Sequence, residues 1–301
     1  MKMGQRSLVR VLTMLATAAT LLIEPPRLQA QATVDVDNEF PNVGVIMVWL
    51  LDNDGQPLEL LTMASGTLVH ERVIVTAGHF TAPVRDLGGL PPGIGVFASF
   101  SPTDAGDPST WIPVIDQITH PSIPSCPLPD LCDPTTSDVF EPLQPGIADV
   151  GLVVLEHAPP DIQPAELAHP NTLSGPHAPG TPTIIVGYGV TAPPPGGSAD
   201  TSTWDGKRRV RTSVFEHVVN STWGIWGLPS HLCFGDSGGG IFLDLHPHHG
   251  KTDERLVANV SDGGIDCLSA NNNNRLDTES VQLWIRQTIR DVLGEGFESG
   301  D

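Results

Sequence analysis

Three residues in this chain stand where acyl-transfer chemistry would need them. Ser237 lies in "LCFGDSGGGIF" (232–242), His79 in "VIVTAGHF" (73–80) and Asp149 in "IADVGLVVLE" (147–156). A serine hydroxyl becomes a useful nucleophile only when a base removes its proton and donors stabilise the oxyanion that forms. Glycine before and after Asp236-Ser237 permits a tight turn in which the N–H groups of Gly235 and Ser237 point at one spot. His79 follows a β-branched run, so a buried strand would deliver the imidazole at its end with one face open. Asp149 heads an almost wholly apolar strand, and a carboxylate there needs a hydrogen-bond partner such as a histidine N–H. Taken singly, each has a plain structural alternative: a Gly/Ser turn, a structural histidine, an aspartate capping a strand.

The elements that must position them read as short strands. Apolar or alternating runs recur between turn signals at 43–51, 72–78, 94–100, 149–155, 183–190, 239–245 and 255–261. That spacing suggests barrels or sandwiches rather than a parallel α/β sheet. The one convincing long helix is last: "DTESVQLWIRQTIRDVLG" places Val281, Trp284, Ile285, Ile289 and Val292 on one face. Asp277 or Thr278 would be its N-cap and Gly294 its stop. Segments 121–146 and 192–209 read as proline- or glycine-rich loops, and the last residues as a frayed tail.

A basic start (Lys2, Arg6, Arg10), the apolar run 11–23 and small residues Ala30 and Ala32 read as a secretory signal peptide spanning residues 1–32. Glu24 and the prolines after it end the run short of the roughly 20 residues a membrane span needs. Residues 1–32 hold four basic side chains and one acid, so their removal takes the formal charge from −20 to −23. Such a field disfavours nucleic acid and anionic lipid as partners. The expectation is a soluble secreted protein, extracellular, or periplasmic in a Gram-negative host. It would be a monomer acting on a polypeptide. Four cysteines, Cys126, Cys132, Cys233 and Cys267, read as two disulfides with three pairings open.

The blocks "VTAGH", "DVGLVVL" and "CFGDSGGG", in the order His, Asp, Ser, resemble the three active-site blocks of the chymotrypsin/trypsin family of serine peptidases. Similar too are "SGTLVHERVIVTAGH", "IVGYGV", "VSDGG" and the terminal "WIRQTI", so the likeness runs from about residue 41 to 293. The resemblance implies an all-β fold of two six-stranded antiparallel barrels, about 41–170 and 171–278, with a terminal helix at 278–293 and a tail at 294–301. It also implies a serine endopeptidase with His79 as general base, Asp149 as orienting acid, and an oxyanion hole of Gly235 and Ser237 N–H groups. Ser261 matches the serine supporting the buried aspartate, and Gly263 the residue whose backbone pairs with substrate. Cys233 and Cys267 match a disulfide bracing the specificity pocket, which leaves Cys126 with Cys132. No cofactor is required.

Departures from the pattern carry expectations of their own. Ala64 and Phe80 stand where the family often has cysteines, and Gly78 replaces an alanine, a change expected to loosen the backbone slightly. Gly240 replaces a proline, and Asp262 an aromatic on the substrate wall. His231 and Leu232 hold the pocket-base positions, without the aspartate of a trypsin-like specificity. Family members free an amino terminus that pairs with the aspartate before the nucleophile, here Asp236. No basic cleavage site precedes "FPNVGVIMV" (40–48), so the expectation is that signal removal frees the ammonium, near Thr33, for Asp236.

Two further signals are weaker. "HPHHG" (246–250) is a candidate transition-metal loop, and Asp104 with Asp107 a candidate calcium loop or else a solvated turn. "NST" (220–222) is a glycosylation sequon. The rival functions are a catalytically silent binding protein on the same fold and another class of acyl hydrolase. The latter usually places Gly-x-Ser-x-Gly on a strand-to-helix elbow, whereas "GDSGG" here precedes an apolar run.

Overall fold

The computed structural model describes residues 32–125, 146–175, 178–191, 201–227, 232–244, 254–262, 267 and 271–294. A two-residue strand, β1 (Thr33–Val34), precedes the first barrel. That barrel comprises β2 (Val43–Leu51), β3 (Pro57–His70), β4 (Val73–Thr76), β5 (Ile94–Ser99), β6 (Ile112–Thr119) and β7 (Gly151–Leu155). These close in the order β2-β3-β4-β7-β6-β5, every pairing antiparallel. Its interior is filled by Ile46, Leu68, Ile74, Val96, Val153 and Leu155. The β-branched and leucine side chains that made these segments legible as strands are the ones packed there.

The second barrel comprises β8 (Pro182–Gly187), β9 (Arg209–Val218), β10 (Trp223–Trp226), β11 (Gly240–Asp244), β12 (Glu254–Asp262) and β13 (Asn271–Arg275). The order β9-β10-β13-β12-β11-β8 closes through a β8–β9 pairing, and β1 lies along the edge of β9. Phe215, Trp226, Ile241, Leu243 and Val257 fill this interior. The all-β architecture of two six-stranded antiparallel barrels is therefore the one expected from the sequence.

A third apolar cluster joins the barrels: Val43, Val73 and Val75 meet Val186, Phe242 and Leu256, and the last helix seals it with Val281, Ile285 and Ile289. That helix, α2, spans Glu279–Leu293. Of its two candidate caps, Thr278 accepts from the Val281 N–H, and Gly294 closes the helix with φ +65°. Asp277 is used elsewhere: its carboxylate binds Arg275 at 2.8 Å and the Leu173 N–H at 2.7 Å. A second helix, α1 (Gly78–Asp86), begins directly after β4. It escaped the sequence reading because Pro83 interrupts it and no side chain caps it.

Candidate active site

Asp149 sits just before β7, wholly buried, and every polar group it carries is engaged. Its Oδ1 accepts from the His79 backbone N–H at 2.7 Å, and its Oδ2 lies 2.8 Å from His79 Nδ1. Ser261 Oγ, from β12 of the other barrel, donates to the same Oδ2. The main chain of Asp149 is clamped as well: its N–H donates to Asn274 Oδ1 at 3.0 Å and its carbonyl accepts from Asn259 Nδ2 at 3.1 Å. The two amides bind one another at 3.1 Å. Burial by itself would push the Asp149 carboxyl up, but attraction to His79 and the bonds from His79 and Ser261 hold it below the ordinary aspartate value.

The position of His79 follows from the start of α1. The first N–H groups of a helix have no partner within it. His79 is the second residue of α1, and its orphan N–H is satisfied by Asp149. One carboxylate thus takes both the backbone and the ring nitrogen of the same residue, which fixes the ring with Nδ1 turned inward. The side chain keeps 26% of its surface exposed. Thr81 Oγ1 anchors the helix to Thr119 Oγ1 of β6 at 2.8 Å. Gly78 corrects an expectation. Far from loosening the backbone, it is required, since a Cβ there would lie 2.1 Å from Ile123 Cδ1 and 2.7 Å from the Val150 carbonyl.

The loop carrying Ser237 is pinned from both barrels. The Ser65 N–H of β3 donates to the Ser237 carbonyl at 2.8 Å, and the Gly238 N–H donates to the Val260 carbonyl at 2.7 Å. Ser65 Oγ donates to the Gly235 carbonyl at 2.7 Å and accepts from the Tyr188 N–H at 2.8 Å. Gly235 and Gly238 have φ of +91° and +81°, conformations open to glycine. A Cβ on Gly238 would lie 2.2 Å from Thr76 Oγ1 and 2.7 Å from the Ala77 nitrogen. The Ser237 loop therefore presses on the residues that lead into His79, and the three candidate residues share one corner between the barrels. Among the described residues, neither the Gly235 nor the Ser237 N–H is bonded to a protein acceptor.

The Asp236 carboxylate is paired with Arg211 of β9. Arg211 Nη1 lies 3.2 Å from Oδ1 and Nη2 3.0 Å from Oδ2, a fork-on-carboxylate geometry, and both side chains are 1% exposed. The Gly189 N–H at 2.9 Å and the Cys233 N–H at 3.0 Å complete the set. Thr33 is exposed, in β1, with its hydroxyl on the Val210 carbonyl. A guanidinium from within the chain thus supplies a compensating charge for this carboxylate.

Among the other expected site residues, Cys233 and Cys267 are joined, with Cα atoms 4.8 Å apart. Leu232 is buried and belongs to the second barrel's core cluster with Phe215 and Trp226. The Asp262 backbone ends β12, paired with Asn272. The Asp262 side chain, His231, Gly263, Cys126, Cys132 and "HPHHG" lie outside the described residues. Asp107 caps a short 3₁₀ turn, accepting from Ser109 N–H at 2.9 Å and Ser109 Oγ at 2.8 Å. Among the described residues no three His, Cys, Asp or Glu side chains gather as a metal set. Sequence reasoning missed Ser65, Arg211, Asn259 and Asn274. Ser65 stood inside the block that leads to His79 and Asn259 inside the apolar run 255–261, whereas Arg211 betrayed itself only as a charge at an inward position of an alternating strand.

With that geometry in hand, comparison with solved structures gives a match to the structure of GrC, granzyme C, a chymotrypsin-like protease. The superposition has a TM-score of 0.55 at 16% sequence identity, and covers 86% of this chain and 98% of that one. The fold is chymotrypsin-like. No protein-family model matches the sequence, and no curated protein does.

Proposed function

We propose that this protein is a secreted serine endopeptidase, with Ser237 as nucleophile, His79 as general base and Asp149 as orienting acid. The observation that carries this reading is the double engagement of His79 by the buried Asp149, with the Ser237 loop closed against Thr76 and Ala77. His79 Nε2 takes the Ser237 proton as Oγ attacks the substrate carbonyl carbon. The oxyanion is received by the Gly235 and Ser237 N–H groups, which are preorganised and uncommitted. His79 then gives its proton to the leaving amine as the C–N bond breaks, leaving an ester on Ser237. A water molecule, deprotonated by His79, attacks that ester and returns free serine and a carboxylic acid. Asp149 stays ionised throughout, holding the ring and stabilising the imidazolium. The Cys233–Cys267 disulfide fits an exported protein, and among the described residues no helix is long and apolar enough to cross a membrane.

The test is covalent labelling of the purified secreted protein by a fluorophosphonate, beside Ser237→Ala and with peptide-library cleavage. Labelling confined to the unsubstituted protein, with cleavage of internal peptide bonds, is expected. A folded protein that neither labels nor cleaves would overturn the reading.

A further inference from the structure

We propose that this chain assembles its oxyanion loop through the internal Arg211–Asp236 pair, without a free amino terminus, and that residues 33–40 serve instead as a brace for the strand that carries Arg211. The inference rests on the reading of Ser237 as nucleophile.

The Asp236 site is built for an internal partner. Its carboxylate lies against Gly187 and Gly189, where a Cβ would fall 2.4 Å and 2.3 Å from its oxygens. The two glycines of "IVGYGV" are therefore the space that Asp236 occupies. Two backbone N–H donors and a bidentate guanidinium complete it. Arg211 reaches the site because β9 alternates, with Arg209, Arg211, Ser213 and Phe215 on the buried face.

The N-terminal segment is tied to the same strand just upstream. Thr33 and Val34 pair with Val210 and Arg209, and the Asp35 N–H donates to the Arg208 carbonyl at 2.9 Å. Asp35 Oδ2 accepts from Arg208 Nε at 2.8 Å, with side-chain exposures of 1% and 0%. The same guanidinium donates to the carbonyls of Val43 and Phe100 at 3.0 and 3.1 Å, and to Asn38. Phe40 packs on Phe242, ring centroids 5.3 Å apart. Asp35 thus locks the segment onto β9 three residues from Arg211, while Thr33 stays at the surface.

A guanidinium stays charged above pH 12, whereas an α-amino group titrates near 8. The experiment compares the secreted chain with the same chain extended by an affinity tag before Thr33, reading fluorophosphonate labelling rate and peptide kcat/KM from pH 7 to 10. The expected result is equal rates within about twofold and no alkaline decline between about pH 8 and 10, the range in which a carboxylate-paired α-ammonium would lose its proton. Arg211→Met should slow labelling roughly a hundredfold, from the uncompensated buried carboxylate, and Arg211→Lys should restore part of it. Asp35→Ala should lower Tm and the labelling rate together. No labelling of the unextended chain overturns the peptidase reading and this inference with it. Labelling lost on extension, an alkaline decline between about pH 8 and 10, or an unimpaired Arg211→Met overturns the inference alone. The first two need no variant that could fail to fold. An Asp35→Ala labelling rate unchanged while the protein is folded overturns the brace.

Discussion

Asp149 and Asp236 are both wholly buried carboxylates served by backbone N–H groups, the first bonded to His79 and the second adjoining Ser237 in sequence. Their partners differ. Asp149 faces an imidazole and a hydroxyl, groups that take up or release a proton or turn. Asp236 faces a guanidinium whose charge is permanent. On the proposed mechanism charge appears and vanishes on His79 at the first site, whereas the second keeps its charges throughout. A buried carboxylate becomes a working or a structural part by what it faces, more than by its own burial.

The comparison would break most sharply at the first site. Ser237→Ala and His79→Ala should each lower kcat/KM about 10⁴- to 10⁶-fold with Tm nearly unchanged, as read by peptide hydrolysis and thermal melting. Asp149→Asn should lower kcat about 10⁴-fold, because an amide cannot both fix and compensate the ring. Asp236→Asn keeps only one of the two backbone contacts, since the Gly189 and Cys233 N–H groups donate to different oxygens, but should still cost less, roughly a hundredfold, with a clear loss of Tm from the unpaired Arg211. If the Asp236 substitution costs catalysis more than the Asp149 substitution, the division of labour drawn here is wrong.

Smaller effects sharpen the picture. Ser261→Ala removes one of the donors to Asp149 Oδ2, and at about 1–3 kcal/mol for a buried acceptor left short it should reduce kcat around tenfold. It should also raise the Asp149 pKa, since that bond helps to lower it. Because the folded Asp149 pKa lies below the ordinary value of 3.8, its contribution to stability is present in full above pH 4. That contribution is lost as the pH falls through the lowered folded value, so acid melting curves of Asp149→Asn should lack this component. His120 behaves with the same sign. Burial lowers its pKa from 6.5, so stability should fall as the pH drops through 6.5, a slope that His120→Gln should flatten. Thr278→Ala should cost about 1 kcal/mol of stability through the lost cap of α2, with kcat unchanged.

Legibility in the sequence tracked apolar patterning. β2, β5 and β8 coincide with runs whose β-branched residues mark them as strands. β13 escaped because "NNNNR" has the composition of a loop, asparagine being poor in strands. In the fold Asn273 and Asn274 are buried: Asn274 Oδ1 accepts from the Asp149 N–H, and Asn273 Oδ1 accepts from the Ser261 N–H at 3.2 Å. Tertiary partners overrode propensity there. Arg211 shows the opposite case, a charged residue whose burial no local pattern announces, because its partner lies 25 residues away on another turn.

The sequence by itself determined the order His79, Asp149, Ser237, the glycines that let the nucleophile loop turn, and the content of short strands, the two barrels being implied by the family resemblance. These are local properties, written in residue type and spacing. Only the tertiary structure decided which charge meets Asp236, why Gly78, Gly187 and Gly189 have to lack a side chain, and which amides clamp Asp149. Each of those depends on atoms brought from distant segments to within about 3 Å, the range over which hydrogen bonds and steric exclusion act.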